Sequence, residues 1–216
     1  MEIIYLGHSS FRIKGKDVYL VTDPFADPDL GFKFPKVEAD IVTVSHNHQD
    51  HNASNQVGGN PFIISGPGEY EVKGVSVFGI NSFHDAKLGK ELGFNTIYVI
   101  ETEGLRICHL GDLGETLSDK QLEEINGVDI LMVPVGGIWT LNPEQALSIV
   151  SAIEPSIVLP IHFKVPGMGG EFAKLSALPD FLKLTDQTNF EPIPKLVISK
   201  DRLPEEKQFV ILERKA

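Results

Sequence analysis

Three histidines and an aspartate stand within six consecutive residues, His46 to His51, in the stretch SHNHQDHN. Groups of this kind crowded into one small volume are costly to hold without a cation. Neutral imidazole and carboxylate together suit zinc, iron or manganese. Residues two apart in an extended stretch share a face, so His46 and His48 can grip one metal while Asp50 and His51, at the following turn, address a second. A lone cysteine, Cys108, excludes a cysteine-rich zinc knuckle and an internal disulfide. Any metal is therefore held by histidine and carboxylate. Two neighbouring divalent ions sharing a water lower its pKa toward neutrality, which makes a nucleophile without a serine or cysteine.

The other candidate ligands occupy the same kind of place. His46 follows DIVTVS, His84 follows GVSVFGINSF, Asp112 follows GLRICHLG, and His162 follows SIVLPI. Each lies just past a β-like run, at the edge where layered α/β proteins collect their site residues. Cys108 falls inside such a run and reads as a reduced core thiol. His109 reads as structural, because strand alternation turns it away from the neighbours of Asp112.

The elements that must position these groups are legible in outline. Short runs rich in Val, Ile, Tyr and Phe, separated by Gly, Pro, Asn and Asp, fill the first half and predict sheets. The second half alternates. SDKQLEEI predicts a helix capped by Ser118, and NPEQALSIVSAI a helix with Asn142 as its cap and Pro143 at its first position. ILMVPV and SIVLPI predict buried strands, EFAKLSALPDFLKL a helix interrupted by Pro179, and KLVIS and QFVILE two closing strands, the last free to pair within a sheet or across a dimer. Loops 25–36 and 164–171 are rich in Pro and Gly and long enough to be functional. The 216 residues, 42% of them hydrophobic, suit one domain spanning 1–216. A net charge of −11 makes nucleic acid and anionic membranes disfavoured partners. No signal peptide or membrane span is visible, which predicts a cytoplasmic protein.

In order, Asp23 in VTDPF, SHNHQDHN, His84 in SFHD, Asp112 in HLGDLG and His162 in LPIHF resemble the motifs of the metallo-β-lactamase superfamily over nearly the whole chain. The resemblance implies an α/β fold, a four-layer αβ/βα sandwich of two mixed, mainly antiparallel sheets with helices outside and metals at one edge. It implies two divalent ions, zinc first, with manganese or iron as alternatives. His46, His48 and His84 would hold one, Asp50, His51 and His162 the other, and Asp112 would bridge them. YLGHSSFRI, VPVGG and LPIHF are most similar to the ascorbate-6-phosphate lactonase branch. His48 stands where flavodiiron oxygen reductases carry Glu, and Asp112 where the main β-lactamases carry Cys. Too little chain follows His162 for the extra helical domain of the glyoxalase II type.

The implied reaction is hydrolysis of a lactone or ester-type bond in a small anionic substrate by a metal-bridging hydroxide, with Asp50 accepting the proton. Asp23 would fix the tautomer of a ligand histidine, or simply form a turn before Pro24. His8, in GHSS, would contact substrate as an acid or make a structural hydrogen bond. Lys164 would anchor an anion or stay solvated, and Trp139 would line the pocket or pack the following helix. Two alternatives stand beside the hydrolase: a phosphodiesterase or nuclease, and a metal-binding regulatory protein without turnover.

Overall fold

The alternation of apolar side chains along each strand sets the layers, and the chain follows it from end to end. The structure is a computed structural model describing residues 1–185 and 190–215. Its N-terminal half carries β1 (Glu2–Gly7), β2 (Ser10–Lys14), β3 (Tyr19–Thr22), β4 (Val37–Glu38), β5 (Ile41–Val44), β6 (Val57–Gly58) and β7 (Phe62–Ser65). There follow β8 (Gly68–Val72), β9 (Val75–Phe83), β10 (Phe94–Thr102), β11 (Leu105–His109), α1 (Asp119–Ile125), β12 (Ile130–Pro134), α2 (Pro143–Ile153), β13 (Ile157–Ile161), α3 (Leu178–Leu182), β14 (Leu196–Val197) and β15 (Gln208–Phe209). One sheet has the order β14-β1-β2-β3-β5-β7, the other β15-β13-β12-β11-β10-β9-β8, and β4 pairs with β6 in a separate ribbon.

The core lies between the two large sheets. On β10, Tyr98 and Ile100 face it, while Ile97 and Val99 point the other way toward the helices. On β12, Ile130 and Met132 face in, and Leu131 and Val133 face out. Burial on both faces explains why these strands read as nearly continuous apolar runs. Each large apolar side chain so buried stabilises the fold by about 1.5–3 kcal/mol. The helices cover this second sheet. In α2, Ala146, Ile149 and Val150 form the apolar stripe. Ser118 and Asn142 cap α1 and α2 through reciprocal hydrogen bonds with Gln121 and Gln145, as their sequences predict.

Three local features differ from expectation. The outer face of the first sheet is covered by the β4/β6 ribbon and its flanking segment, with Leu6, Val21, Val42 and Val44 packing on Val37 and Val57. Pro179 does not interrupt a helix but opens α3, where its missing N–H costs nothing. QFVILE contributes only Gln208–Phe209 to a ladder, parallel to β13, so it pairs within the chain. Beyond it, the Val210 N–H donates to the Val158 carbonyl of the second sheet and the Lys215 N–H to the Tyr5 carbonyl of the first. The tail thus ties the sheets together. Among the described residues no helix is long and apolar enough to cross a membrane.

Candidate metal centre

Strand direction gathers the site. In the first sheet β1 and β3 each run antiparallel to β2, and β5 runs parallel to β3, so β1, β3 and β5 all end at the same edge. In the second, β9 and β11 flank β10 antiparallel to it, and β12 and β13 continue parallel to β11. His8, Asp23 and His46 follow the ends of the first set; His84, Asp112 and His162 follow the ends of the second. Three of these residues turn off their strands with left-handed backbones: His8 at φ 54°, Asp23 at 37° and His162 at 52°. Such conformations cost about 1–3 kcal/mol each in non-glycine residues and persist only where surrounding contacts impose them. Here the His8 carbonyl accepts from the Tyr5 hydroxyl at 3.0 Å and from the His162 N–H at 3.2 Å, linking the two sheets.

The HxHxDH segment is not extended. β5 stops at Val44, residues 45–51 bend, and the His51 N–H closes a turn on the His48 carbonyl at 2.9 Å. The bend still juxtaposes His46 and His48, with ring centroids 4.6 Å apart, and sets both beside His84 at 4.7 and 5.1 Å. Asp112 stands at the centre. Its carboxylate lies 3.2 Å from His51 Nε2, 3.1 Å from His162 Nε2, 3.3 Å from His84 Nε2 and 3.9 Å from His46 Nε2. Asp50 Oδ2 is 3.3 Å from His51 Nε2 and 4.0 Å from His162 Nε2. Donor atoms of His46, His48 and His84 lie within 4.8 Å of one another, and so do those of His8, Asp50, His51 and His162.

Hydrogen bonds fix which nitrogen each ring offers. The Asp23 carboxylate accepts from His51 Nδ1 at 2.8 Å, from the Ser45 N–H at 2.8 Å and from the Ser45 hydroxyl at 2.5 Å. Since that hydroxyl donates to Asp23, it accepts from His46 Nδ1 at 2.9 Å. One carboxylate, directly and through one serine, therefore turns Nε2 of both His46 and His51 toward the cluster. His84 Nδ1 donates to the Trp139 carbonyl at 3.1 Å, with the same effect. Nε2 of His46, His51 and His162 and Oδ1 of Asp112 are buried and have no hydrogen-bond partner. Orphaned atoms of this kind are costly. Their convergence fits a divalent cation, and the His/Asp cluster is able to bind one.

Ser45 and Asn95 escape sequence reasoning. Asn95, buried near the start of β10, accepts the Asp112 N–H at 3.0 Å and donates to the Leu110 carbonyl at 2.9 Å, so it shapes the turn that presents Asp112. A polar residue near the start of a long, mostly buried strand was its only signal. Gly111, at φ 57°, packs so closely on Ser45 and Asn95 that a Cβ there would collide with both. His109 is structural: its Nδ1 accepts from the Gly111 N–H, leaving Nε2–H to donate to the Ser9 carbonyl across the sheets at 2.7 Å. Cys108 is buried, and burial pushes its thiol up.

In the metal-free protein, burial alone would raise the Asp112 carboxyl, but His162 and His51 outweigh it and hold it well below its ordinary range. Burial likewise opposes ionisation of Asp50, and His51 and His8 overcome it. Burial pushes His46 down to about 3, reinforced by His51, and pushes His8 down to about 4, reinforced by His162. Burial opposes protonation of His51 and His84, but Asp112 beside both holds them above their ordinary range, so these two rings must give up a proton before they can bind a metal.

A cavity of about 290 Å³ opens over the cluster, reaching His48, Asp50, His84 and Asp112 and walled by Leu92, Trp139 and Phe172. Its rim comes from the two long loops, which lock into one wall. The Asp29 carbonyl accepts the Gly169 N–H at 2.7 Å, and Phe25, Leu30, Met168, Phe172 and Leu175 form a small core shared between them. The supporting candidates sort accordingly. Asp23 holds His51. Trp139 lines the cavity and holds His84 through its carbonyl. His8 is wholly buried behind Asp50, 3.0 Å from its Oδ2, and does not line the cavity. Lys164 is exposed and outside the lining, because its backbone pairs with Ser176 and Ala177 along the loop's far side; it anchors nothing in this cavity.

Fold and site together define a metallo-β-lactamase superfamily domain. A beta-lactamase superfamily domain model matches residues 2–162, a span ending on the last histidine of the cluster. A UPF0173 protein of Pyrococcus abyssi is 32% identical over 192 residues, covering 78% of this chain and 86% of that one. A UPF0173 metal-dependent hydrolase of Thermococcus onnurineus is 30% identical over 190 residues, 76% of this chain and 84% of that one. A crystal structure from Thermotoga maritima, described as a candidate zinc-dependent hydrolase of the superfamily, is 37% identical, covers 99% of each chain and superposes with a TM-score of 0.82. The chain belongs to the UPF0173 family of metal-dependent hydrolases.

Proposed function

We propose that the protein is a dinuclear metal-dependent hydrolase of an ester- or lactone-type bond. The convergence of buried, unpartnered donor atoms from His46, His51, His162 and Asp112 carries this reading. His46, His48 and His84 would hold one divalent ion, Asp50, His51 and His162 a second, with Asp112 between them. Bound there, the ions, zinc first and manganese or iron as alternatives, supply Lewis acidity and an activated water. Asp50 is the proton acceptor. Its side chain is 11% exposed, enough to reach the cavity, and His8 holds one of its oxygens from behind. Asp23, Ser45 and the Trp139 carbonyl keep the rings from rotating. Trp139 and Phe172 wall the cavity against water. Among the described residues the acids lining the cavity, apart from the metal-ligand candidates, are Asp29 and Glu171, both exposed on its rim, which favours carbonyl substrates whose leaving groups need little protonation. The likeness to the lactonase branch in YLGHSSFRI and LPIHF supports including cyclic esters. A phosphodiesterase or nuclease has less support, because no lysine or arginine lines the cavity among the described residues.

The test is hydrolysis by zinc-loaded and manganese-loaded protein of sugar lactones, phosphorylated lactones, aryl esters, thioesters and aryl phosphodiesters, each with a chelator control. Chelator-sensitive turnover confined to carbonyl esters is expected; turnover confined to phosphodiesters, or surviving chelation, overturns the reading. Metal occupancy has a thermal signature as well. At a free metal concentration of 1,000 Kd, binding adds about 4 kcal/mol. At about 2–4 °C per kcal/mol for a chain of this size, the melting temperature should rise by about 8–16 °C over the chelated protein.

A further inference from the structure

His48 and Leu92 also line a second, open cavity of about 550 Å³, whose other walls include Pro67 and Phe94 beside the polar Asn47, Ser65, Asn81 and Thr96. Apolar groups stand on both sides of the metal ligands: Trp139 and Phe172, with ring centroids 5.4 Å apart, on one, and Leu92, Pro67 and Phe94 on the other. Phe94 is 67% exposed, a large apolar surface for solvent to hold open unless something covers it. Leu92 is not there by accident of a loose loop. Asp85, directly after His84, accepts four backbone N–H groups, from Lys87, Gly89, Glu91 and Leu92, and so pins the segment that carries it.

The charges around these walls have one sign. Apart from the metal-ligand candidates, the charged residues lining the two cavities are Asp29 and Glu171, both exposed on the locked loops; among the described residues no lysine or arginine lines either cavity. Lys174 pairs with Glu171 at 2.5 Å, but both are well exposed and Lys174 stays outside the lining. The chain as a whole carries −11. An anion entering the first cavity would have to pass the Asp29 and Glu171 carboxylates on its rim.

Resting on the hydrolase reading, we propose that the substrate carries no negative charge and is elongated, with one apolar group seated against Trp139 and Phe172 and another against Leu92 and Phe94, so that the scissile bond lies over the cluster. Asp29 and Glu171 are the residues that exclude anionic analogues. Such a substrate departs from the small anionic one expected from the sequence.

Trp139 is the only tryptophan, so its fluorescence reports occupancy of the first cavity whether or not anything is hydrolysed. The probes are N-benzylbenzamide, which has a ring on each side of its amide, its ring-carboxylated analogue, and benzamide, titrated into zinc-loaded protein. The neutral two-ring probe should change Trp139 emission with at least about tenfold tighter affinity than its carboxylate, the size expected of one or two partly screened like-charge contacts. The ratio should shrink in the Asp29→Asn, Glu171→Gln double variant and with added salt. Phe94→Ala, a surface change, should weaken the two-ring probe several-fold and leave benzamide unaffected. Equal or tighter binding of the carboxylate, or a ratio indifferent to the double variant, overturns the inference. The turnover panel is read separately: failure there with this binding pattern intact removes the hydrolase and leaves the ligand class standing, and the reverse outcome removes only the ligand class.

Discussion

His48→Ala should lose at least about a thousandfold in turnover, the equivalent of the several kcal/mol that a metal's Lewis acidity contributes to the barrier. The metal-free variant should melt where the metal-free parent does. The reason for the split is position. His48 is the exposed member of its trio, it receives no hydrogen bond from Asp23, Ser45 or Trp139, and its ring meets chiefly His46 and His84. Its removal therefore takes away a ligand and almost no packing. Metal content measured alongside melting separates the two effects. Undiminished turnover would remove His48 from the ligand set, and a large fall in metal-free melting temperature would mean that its role is structural.

Asp23→Ala should behave in the opposite way and damage the fold and the site together. The carboxylate is fully buried and satisfies the Ser45 N–H, the Ser45 hydroxyl and His51 Nδ1 at once. Burial opposes its ionisation, but His109 and the His51 hydrogen bond hold it below its ordinary value. Breaking one member of such a buried pair costs about 3–5 kcal/mol. The melting temperature should then fall by about 6–20 °C at 2–4 °C per kcal/mol. Freed from their partners, His46 and His51 can rotate, and metal affinity should drop about 10–100-fold. Asp23→Asn retains the shape but must present an amide N–H to one donor or another, so an intermediate loss is expected. Isothermal titration with zinc, set beside the melting curve, checks both halves; unchanged affinity in a folded Asp23→Ala protein would refute the account of ring orientation.

What could be read from the chain and what could not divide along a physical line. Ligand positions were legible because a histidine or aspartate placed just after an apolar run is a local pattern, and parallel strands bring such positions to one edge. The caps at Ser118 and Asn142 were legible for the same reason: a cap and its partner are three residues apart. Ser45 was not, because its importance comes from Asp23, which arrives from a different strand 22 residues earlier. Nor were the left-handed turns at His8, Asp23 and His162, since nothing in a non-glycine residue announces φ > 0. Pro179 looks the same to a sequence reader whether it breaks a helix or begins one. The assumption that His46 and His48 share a strand face put the right residues together for the wrong reason: a bend, rather than alternation, does it. Lys164, read as an anion anchor or a solvated side chain, is the latter; two residues of sequence separation from His162 could not decide which side of the loop it takes.

The division of the ligands between sheets has a consequence for how the protein comes into being. His8, Asp23 and the 46–51 segment belong to the first sheet, and His84, Asp112 and His162 to the second, joined where the His8 carbonyl meets the His162 N–H. Contacts this far apart in sequence form late, after loop-closure entropy has been overcome. During synthesis the HxHxDH segment leaves the ribosome more than 100 residues before His162. It is a ready chelator with no partner sheet to complete it. Metal captured then would be held by an incomplete set of donors, because His84, Asp112 and His162 join it only when the second sheet docks on the first.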